Sequence, residues 1–108
     1  MLTEAQVQRL QADVAKRGAS RLPTVFRALA DETRFCIFSL LMERHDLCVS
    51  ELARACKVTT AAASYQLRIL ALAGLVRRAR TGKTVCYLLR DDEPVVELIR
   101  SLITNKNK

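Results

Sequence analysis

Residues 50–73 read Ser-Glu-Leu-Ala-Arg-Ala-Cys-Lys-Val-Thr-Thr-Ala-Ala-Ala-Ser-Tyr-Gln-Leu-Arg-Ile-Leu-Ala-Leu-Ala, and Gly74 closes them. Ser50 and Glu51 open a helix through Leu52, Ala53 and Ala55, and Lys57-Val58-Thr59 makes a brief turn. Thr59 or Thr60 can then cap a second helix, since a threonine hydroxyl can accept a free N–H of the first turn. That helix is predicted over 61–73, with Ala63, Leu67 and Leu70 at inward spacing and Gly74 placed to end it. Two helices joined so tightly form a helix-turn-helix pattern over residues 50–73. After Gly74 the period changes. Leu75–Arg80 and Thr84–Leu89 read as two strands around Thr81-Gly82-Lys83, a basic hairpin, or wing, over 75–89. Val85 and Tyr87 are expected to face the core, with Cys86 on the opposite face.

Working outward, the rest of the chain is helical. Thr3 and Gln6 have the form of a capping box, and Val7, Leu10 and Val14 line one face until Gly18. Pro23 suits the first turn of a short helix carrying Val25, Phe26 and Leu29. Asp31 is a candidate N-cap for a helix holding Phe35, Ile37, Phe38, Leu40, Leu41 and Met42. This run is apolar on more than one side, as expected of a helix crossing the core. Arg44–Val49 breaks the pattern, and Pro94 opens a last helix with Val95, Val96, Leu98, Ile99, Leu102 and Ile103. The tail from Asn105 to Lys108 is expected to fray. The fold expected is mainly α with a small β-hairpin, a single winged helix-turn-helix domain over 1–108 with terminal helices at 1–18 and 93–104.

Composition narrows the function. The chain has 108 residues, 50% hydrophobic and 27% charged, which is globular composition. No stretch approaches the roughly 20 apolar residues of a membrane span, and the N-terminus does not read as a secretory signal. A cytoplasmic location with reduced thiols is expected. The four cysteines stand singly beside one histidine, which argues against a structural zinc site. Eighteen Lys and Arg oppose 11 Asp and Glu, a formal charge of +7. No acid lies between Glu51 and Asp91, whereas Arg54, Lys57, Arg68, Arg77, Arg78, Arg80, Lys83 and Arg90 all do. Such a segment attracts polyanions, of which nucleic acid is the commonest.

A helix of this kind fits the DNA major groove, where base edges carry a readable pattern. Thr59, Thr60, Ala61, Ser64, Tyr65 and Arg68 are the candidate contacts from the second helix. Thr60 and Ser64 suit hydrogen bonds to bases or phosphates, Ala61 a thymine methyl, and Arg68 a phosphate. Arg77, Arg78, Arg80 and Lys83 on the hairpin would add affinity along the backbone or in the minor groove. Other classes fare worse. His45 has no matched nucleophile, and no glycine-rich phosphate loop appears, so an enzyme is not expected. A role on single-stranded RNA lacks a stacking surface. The alternative is a winged helix serving as a protein-interaction module without operator binding.

Several segments resemble the ArsR/SmtB family of bacterial winged-helix repressors. Ala28-Leu29-Ala30-Asp31-Glu32-Thr33-Arg34 is similar to its "LADxTR" opening, and Leu47-Cys48-Val49-Ser50-Glu51-Leu52 to its "LCVC[DE]L" segment. Ser64-Tyr65-Gln66-Leu67-Arg68-Ile69-Leu70 resembles its "SxHLxxL" recognition helix, followed by Ala73-Gly74-Leu75-Val76 and a wing from Lys83 through Tyr87. The resemblance spans roughly residues 25–90. It implies a homodimeric repressor on an inverted-repeat operator in double-stranded DNA, released by metal ions, metalloids or another chemical signal. It also implies a dimer interface from the terminal helices. The apolar stripes Val7, Leu10 and Val14 and Val95, Ile99 and Leu102 agree, because a chain this short has limited interior to cover both.

The sensing site departs from the family. Its metalloid sensors use a Cys-x-Cys pair, because thiolates suit soft ions. Here Cys48 matches the first cysteine but Ser50 holds the second position. Its zinc and nickel sensors use Asp and His on the last helix, which here has Asp91, Asp92, Glu93 and Glu97 but no His. No cofactor is therefore assigned, and a soft metal or metalloid ion remains a candidate. Three readings stay open for the thiols. Cys48 acts with Cys36, or across a dimer, as a soft-metal or redox sensor; Cys86 is an oxidisable thiol beside Arg78; or all four cysteines only pack. Cys56 is expected to be a packing residue.

Overall fold

The computed structural model describes residues 1–17 and 20–105. Gly18 and the last three residues of the tail expected to fray lie outside them. Helix α1 (Glu4–Arg17) starts where the Thr3 hydroxyl accepts the Gln6 N–H and the Gln6 amide oxygen accepts the Thr3 N–H, at 3.2 and 2.8 Å. Helix α2 (Leu22–Leu29) carries Pro23 in its first turn and buries Val25 and Ala28. Helix α3 (Glu32–Glu43) is capped by the Asp31 carboxylate, which accepts the Arg34 N–H at 3.0 Å. It places Ile37, Phe38 and Leu41 at the centre of the core, each almost wholly buried.

Helix α4 (Val49–Ala55) begins one residue earlier than its sequence suggests, with Cys48 rather than Ser50 outside the first turn. Glu51 is the cause. Its carboxylate accepts the Cys48 N–H at 2.9 Å, satisfying a backbone donor at the helix start. The turn that follows bends through Lys57, whose φ of 59° is left-handed. It delivers Thr59 as the cap of α5 (Thr60–Leu72), its hydroxyl accepting the Ala62 N–H at 3.0 Å. Helix α5 thus runs one residue ahead of the predicted 61–73. Ala63, Leu67 and Leu70 are completely buried against α3 and α4, as their spacing requires.

Strands β1 (Val76–Thr81) and β2 (Thr84–Leu89) form the antiparallel hairpin, in register from Val76 opposite Leu89 to Thr81 opposite Thr84. Gly82, at φ 62°, supplies the positive φ that a two-residue turn favours. Tyr87 and Leu89 are the buried residues of β2, and Val85 packs partly on the core. Cys86 pairs with Cys48 in an isolated antiparallel bridge, so the residue preceding α4 flanks the hairpin. Helix α6 (Pro94–Asn105) anchors itself by Val96, which is fully buried. Among the described residues no helix is long and apolar enough to cross a membrane.

Gly74 ends α5 at φ 79°, and the Leu75 N–H reaches back to the Leu70 carbonyl at 3.0 Å. The Arg21 guanidinium donates to the Ala73 carbonyl at 3.1 Å, and a Cβ on Gly74 would lie 1.9 Å from that same nitrogen. Gly74→Ala therefore combines left-handed strain with displacement of Arg21. Strain of this kind costs about 1–2 kcal/mol. Urea unfolding at fixed protein concentration should show a lower midpoint with an unchanged slope.

Candidate nucleic-acid interface

Burial of Ala63, Leu67 and Leu70 turns the other side of α5 outward. Thr59, Thr60, Ala61, Tyr65 and Arg68 are exposed, and Ser64 is half-buried. Tyr65 keeps 57% of its surface free, presenting its ring and hydroxyl on the outward side of the helix. The pitch of this helix is held from behind. Arg34 donates through Nε to the Ala28 carbonyl at 2.6 Å and through Nη1 to the Gln66 amide oxygen at 2.8 Å. One guanidinium thus ties the α2–α3 corner to the middle of α5. Neither residue stands out as a site residue in the sequence, because their contact spans 32 positions.

Register distinguishes the wing cations from one another. Directly opposed residues of an antiparallel pair share a face. Arg78 opposes Tyr87 and Arg80 opposes Val85, so both lie on the face that continues into the core. Arg77 opposes Leu88, placing it on the reverse face. Arg78 lines a groove of about 810 Å³ between α5 and the hairpin, with Thr60, Ser64 and Arg68 on one wall and Thr84 and Val85 on the other. Thr84 is an addition that only the pairing of the strands reveals. Lys83 sits exposed at the hairpin tip.

Arg21, Arg44, Arg90 and Arg100 form ion pairs with nearby carboxylates. The Arg90 hydrogen bond to Asp92 draws that carboxyl down to about 2. Among the described residues, Arg54, Lys57, Arg68, Arg77, Arg78, Arg80 and Lys83 form none. Apart from Arg90, the cations of the acid-free segment are thus left without carboxylates, as are Arg9, Lys16, Arg17, Arg27 and Arg34 among the other described residues.

The structure brings together thiols that none of the three sequence readings joined. Cys36 lies beside Cys56, with their sulfurs 2.7 Å apart, and not beside Cys48. Cys48 lies across the bridge from Cys86 and has its sulfur 3.2 Å from the Ser50 hydroxyl. Cys56, expected only to pack, is the residue just beyond α4 and is partly exposed. Burial, reinforced by the hydrogen bond and the charge of Cys36, pushes its thiol up to about 12. Among the described residues no three His, Cys, Asp or Glu side chains converge as a metal site, so the donor set does not fit a soft-metal centre within one chain.

The terminal helices keep apolar surface open. Helix α1 buries no residue, and Leu10 and Val14 are 48% and 60% exposed, with Val7 half-buried. On α6 the stripe is shifted from the expected one. Val95 and Ile99 pack partly on the chain's own core, whereas Leu98 and Leu102 are open together. Val96 causes the shift, because its burial rotates the helix to turn its neighbours inward.

A helix-turn-helix backed by a core helix and followed by a basic hairpin defines a winged-helix DNA-binding regulator. Residues 31–78 match the family profile described as "Bacterial regulatory protein, arsR family". The chain is 41% identical to a transcriptional repressor SmtB homolog of Synechocystis, over 90% of its own length and 73% of the relative's. It is 35% identical to a cadmium resistance transcriptional regulatory protein CadC homolog of Staphylococcus aureus, over 97% and 86% of the two chains. The reduced form of HlyU from Vibrio cholerae superposes with a TM-score of 0.71 at 26% identity, over 91% of this chain and 95% of that one. The chain belongs to the ArsR family of transcriptional regulators.

The Arg34–Gln66 bond can be measured directly. A double-mutant cycle with Arg34→Ala and Gln66→Ala should return a coupling of about 1–2 kcal/mol in unfolding free energy. Additive single effects would mean that the bond does not hold α5.

Proposed function

We propose that the protein is a homodimeric repressor that places α5 of each subunit in successive major grooves of an inverted-repeat operator. The observation that carries this reading is the set of cations without ion pairs around the exposed side of α5 and along the hairpin. Thr60, Ala61, Ser64 and Tyr65 read base edges, with Thr59 at the head of the helix near the backbone. Arg68, Arg78, Arg80 and Lys83 neutralise phosphates; Arg77, on the reverse face of β1, contributes less. A protein-interaction module would have no use for so continuous a cationic surface.

The open stripes of α1 and α6 support pairing of two copies. Leu10, Val14, Leu98 and Leu102 present apolar surface that a second subunit would cover, and the twofold would set the spacing of the two α5 helices. Val7, Val95 and Ile99 would form the edge of that contact. The family relatives include a cadmium-resistance regulator, which supports release by a chemical signal, here one acting on thiols. A regulator of this kind works in the cytoplasm, where bacterial DNA lies.

Fluorescence anisotropy with a duplex from the DNA upstream of the gene tests the reading. Arg78→Ala should weaken binding to every sequence and reduce the slope of log K against log salt by about 0.9 for each phosphate no longer neutralised. Arg77→Ala should do so less, and Tyr65→Ala should change which duplex is preferred. Equal weakening on all duplexes for Tyr65→Ala would remove it from base reading. In sedimentation, Leu98→Glu combined with Leu102→Glu should yield a folded monomer; a persisting dimer would place the interface elsewhere.

A further inference from the structure

We propose that Cys36 and Cys56 form a reversible intrachain disulfide that lowers DNA affinity, a switch that rests on the DNA-binding reading above. The two sulfurs stand 2.7 Å apart, within a short displacement of a bond of about 2.05 Å. Both residues are partly exposed, so a small oxidant can reach them. No third ligand converges on them among the described residues, which favours two-electron closure over capture of a metal ion.

Their placement couples the bond to the interface. Cys36 is on α3, whose Ile37, Phe38 and Leu41 lie in the core. Cys56 follows α4 directly, next to the left-handed turn at Lys57 and three positions before the Thr59 cap of α5. Drawing the Cys56 sulfur onto Cys36 pulls this turn toward α3. The head of α5, where Thr60 and Ala61 are exposed, moves with it.

With a glutathione disulfide as oxidant the chemistry balances. The Cys36 thiolate attacks one glutathione sulfur, forming a mixed disulfide and expelling the other half as thiolate. Cys56 then gives up its proton and attacks the Cys36 sulfur, expelling the second glutathione. Two protein S–H bonds are replaced by one S–S bond, and one oxidant disulfide becomes two thiols. Burial and the neighbouring Cys36 sulfur favour the protonated form of Cys56, which suits it to the second attack rather than the first.

The test uses the full, reduced chain incubated with oxidised glutathione. The intact mass should fall by two hydrogens, peptide mapping should join the Cys36 and Cys56 peptides, and dithiothreitol should reverse both. Cys56→Ser should stop at a glutathione adduct on Cys36, and Cys48→Ser with Cys86→Ser should still close the bond. A lasting adduct on the wild type, a Cys48–Cys86 link, a link between chains or no reaction would overturn the assignment, and the wild-type map settles this without any variant. In anisotropy with the upstream duplex and an unrelated one, the oxidised form should bind between about 5- and 150-fold more weakly. Equal affinity of the two forms would overturn the switch while leaving the disulfide. Reduced protein that ignores both duplexes would instead overturn the DNA reading, and the mass measurement would report on the bond independently.

Discussion

The apolar face of α5, packed against α3, is the constraint on which the rest of the architecture depends. Ala63, Leu67 and Leu70 are completely buried there, and Ile37 and Phe38 of α3 are buried to the same degree. Burial of one face leaves the other nowhere to turn but outward. Dispersion and water exclusion hold α5 at its depth, whereas the Arg34 bridge to Ala28 and Gln66 adds direction to what packing alone would leave able to roll. A surface offered to another molecule needs such backing, because a loosely held helix loses ordering entropy on binding.

Electrostatics reinforces the same side of the molecule. Carboxylates on either side of the acid-free segment are taken up locally, Asp46 by Arg44 and Asp92 by Arg90. Apart from Arg90, the acid-free segment keeps its cations free of ion pairs among the described residues. Exposed ion pairs contribute little to stability, so this partition matters less to the fold than to the field that the protein presents. The hairpin register then aims that field. Arg78 and Arg80 share a face with Tyr87 and Val85, and Arg77 points away.

Much of this is legible in residue order. Thr3 with Gln6, Asp31, Thr59 and Gly74 mark helix ends through local hydrogen bonding and backbone freedom, which act over three or four residues. Ser50 is a misleading start for α4, because Cys48 is an unusual capping residue and the reach of Glu51 back to its N–H decides the boundary. The open stripe of α6 differs from the expected Val95, Ile99 and Leu102. The run has a broad apolar face opposite Glu97, Arg100, Ser101 and Thr104, and only the docking of Val96 selects which part of that face turns inward. That Cys36 meets Cys56 is hidden from the sequence for a related reason. Position along the chain does not reveal that the residue closing α4 returns to α3.

The sequence by itself determined the order of helices, turn and hairpin, the charge asymmetry and the identity of the outward residues on α5, because each depends on periodicity or on neighbours a few positions apart. Tertiary structure alone decided which cations face the groove, which side of α6 stays open, how Arg34 grips α5 and which thiols meet. The first rests on the pairing register of the two strands, and the last two on contacts 20 or more positions apart, Cys36 with Cys56 and Arg34 with Gln66. Such contacts exist only after the core has fixed the relative rotation of its helices.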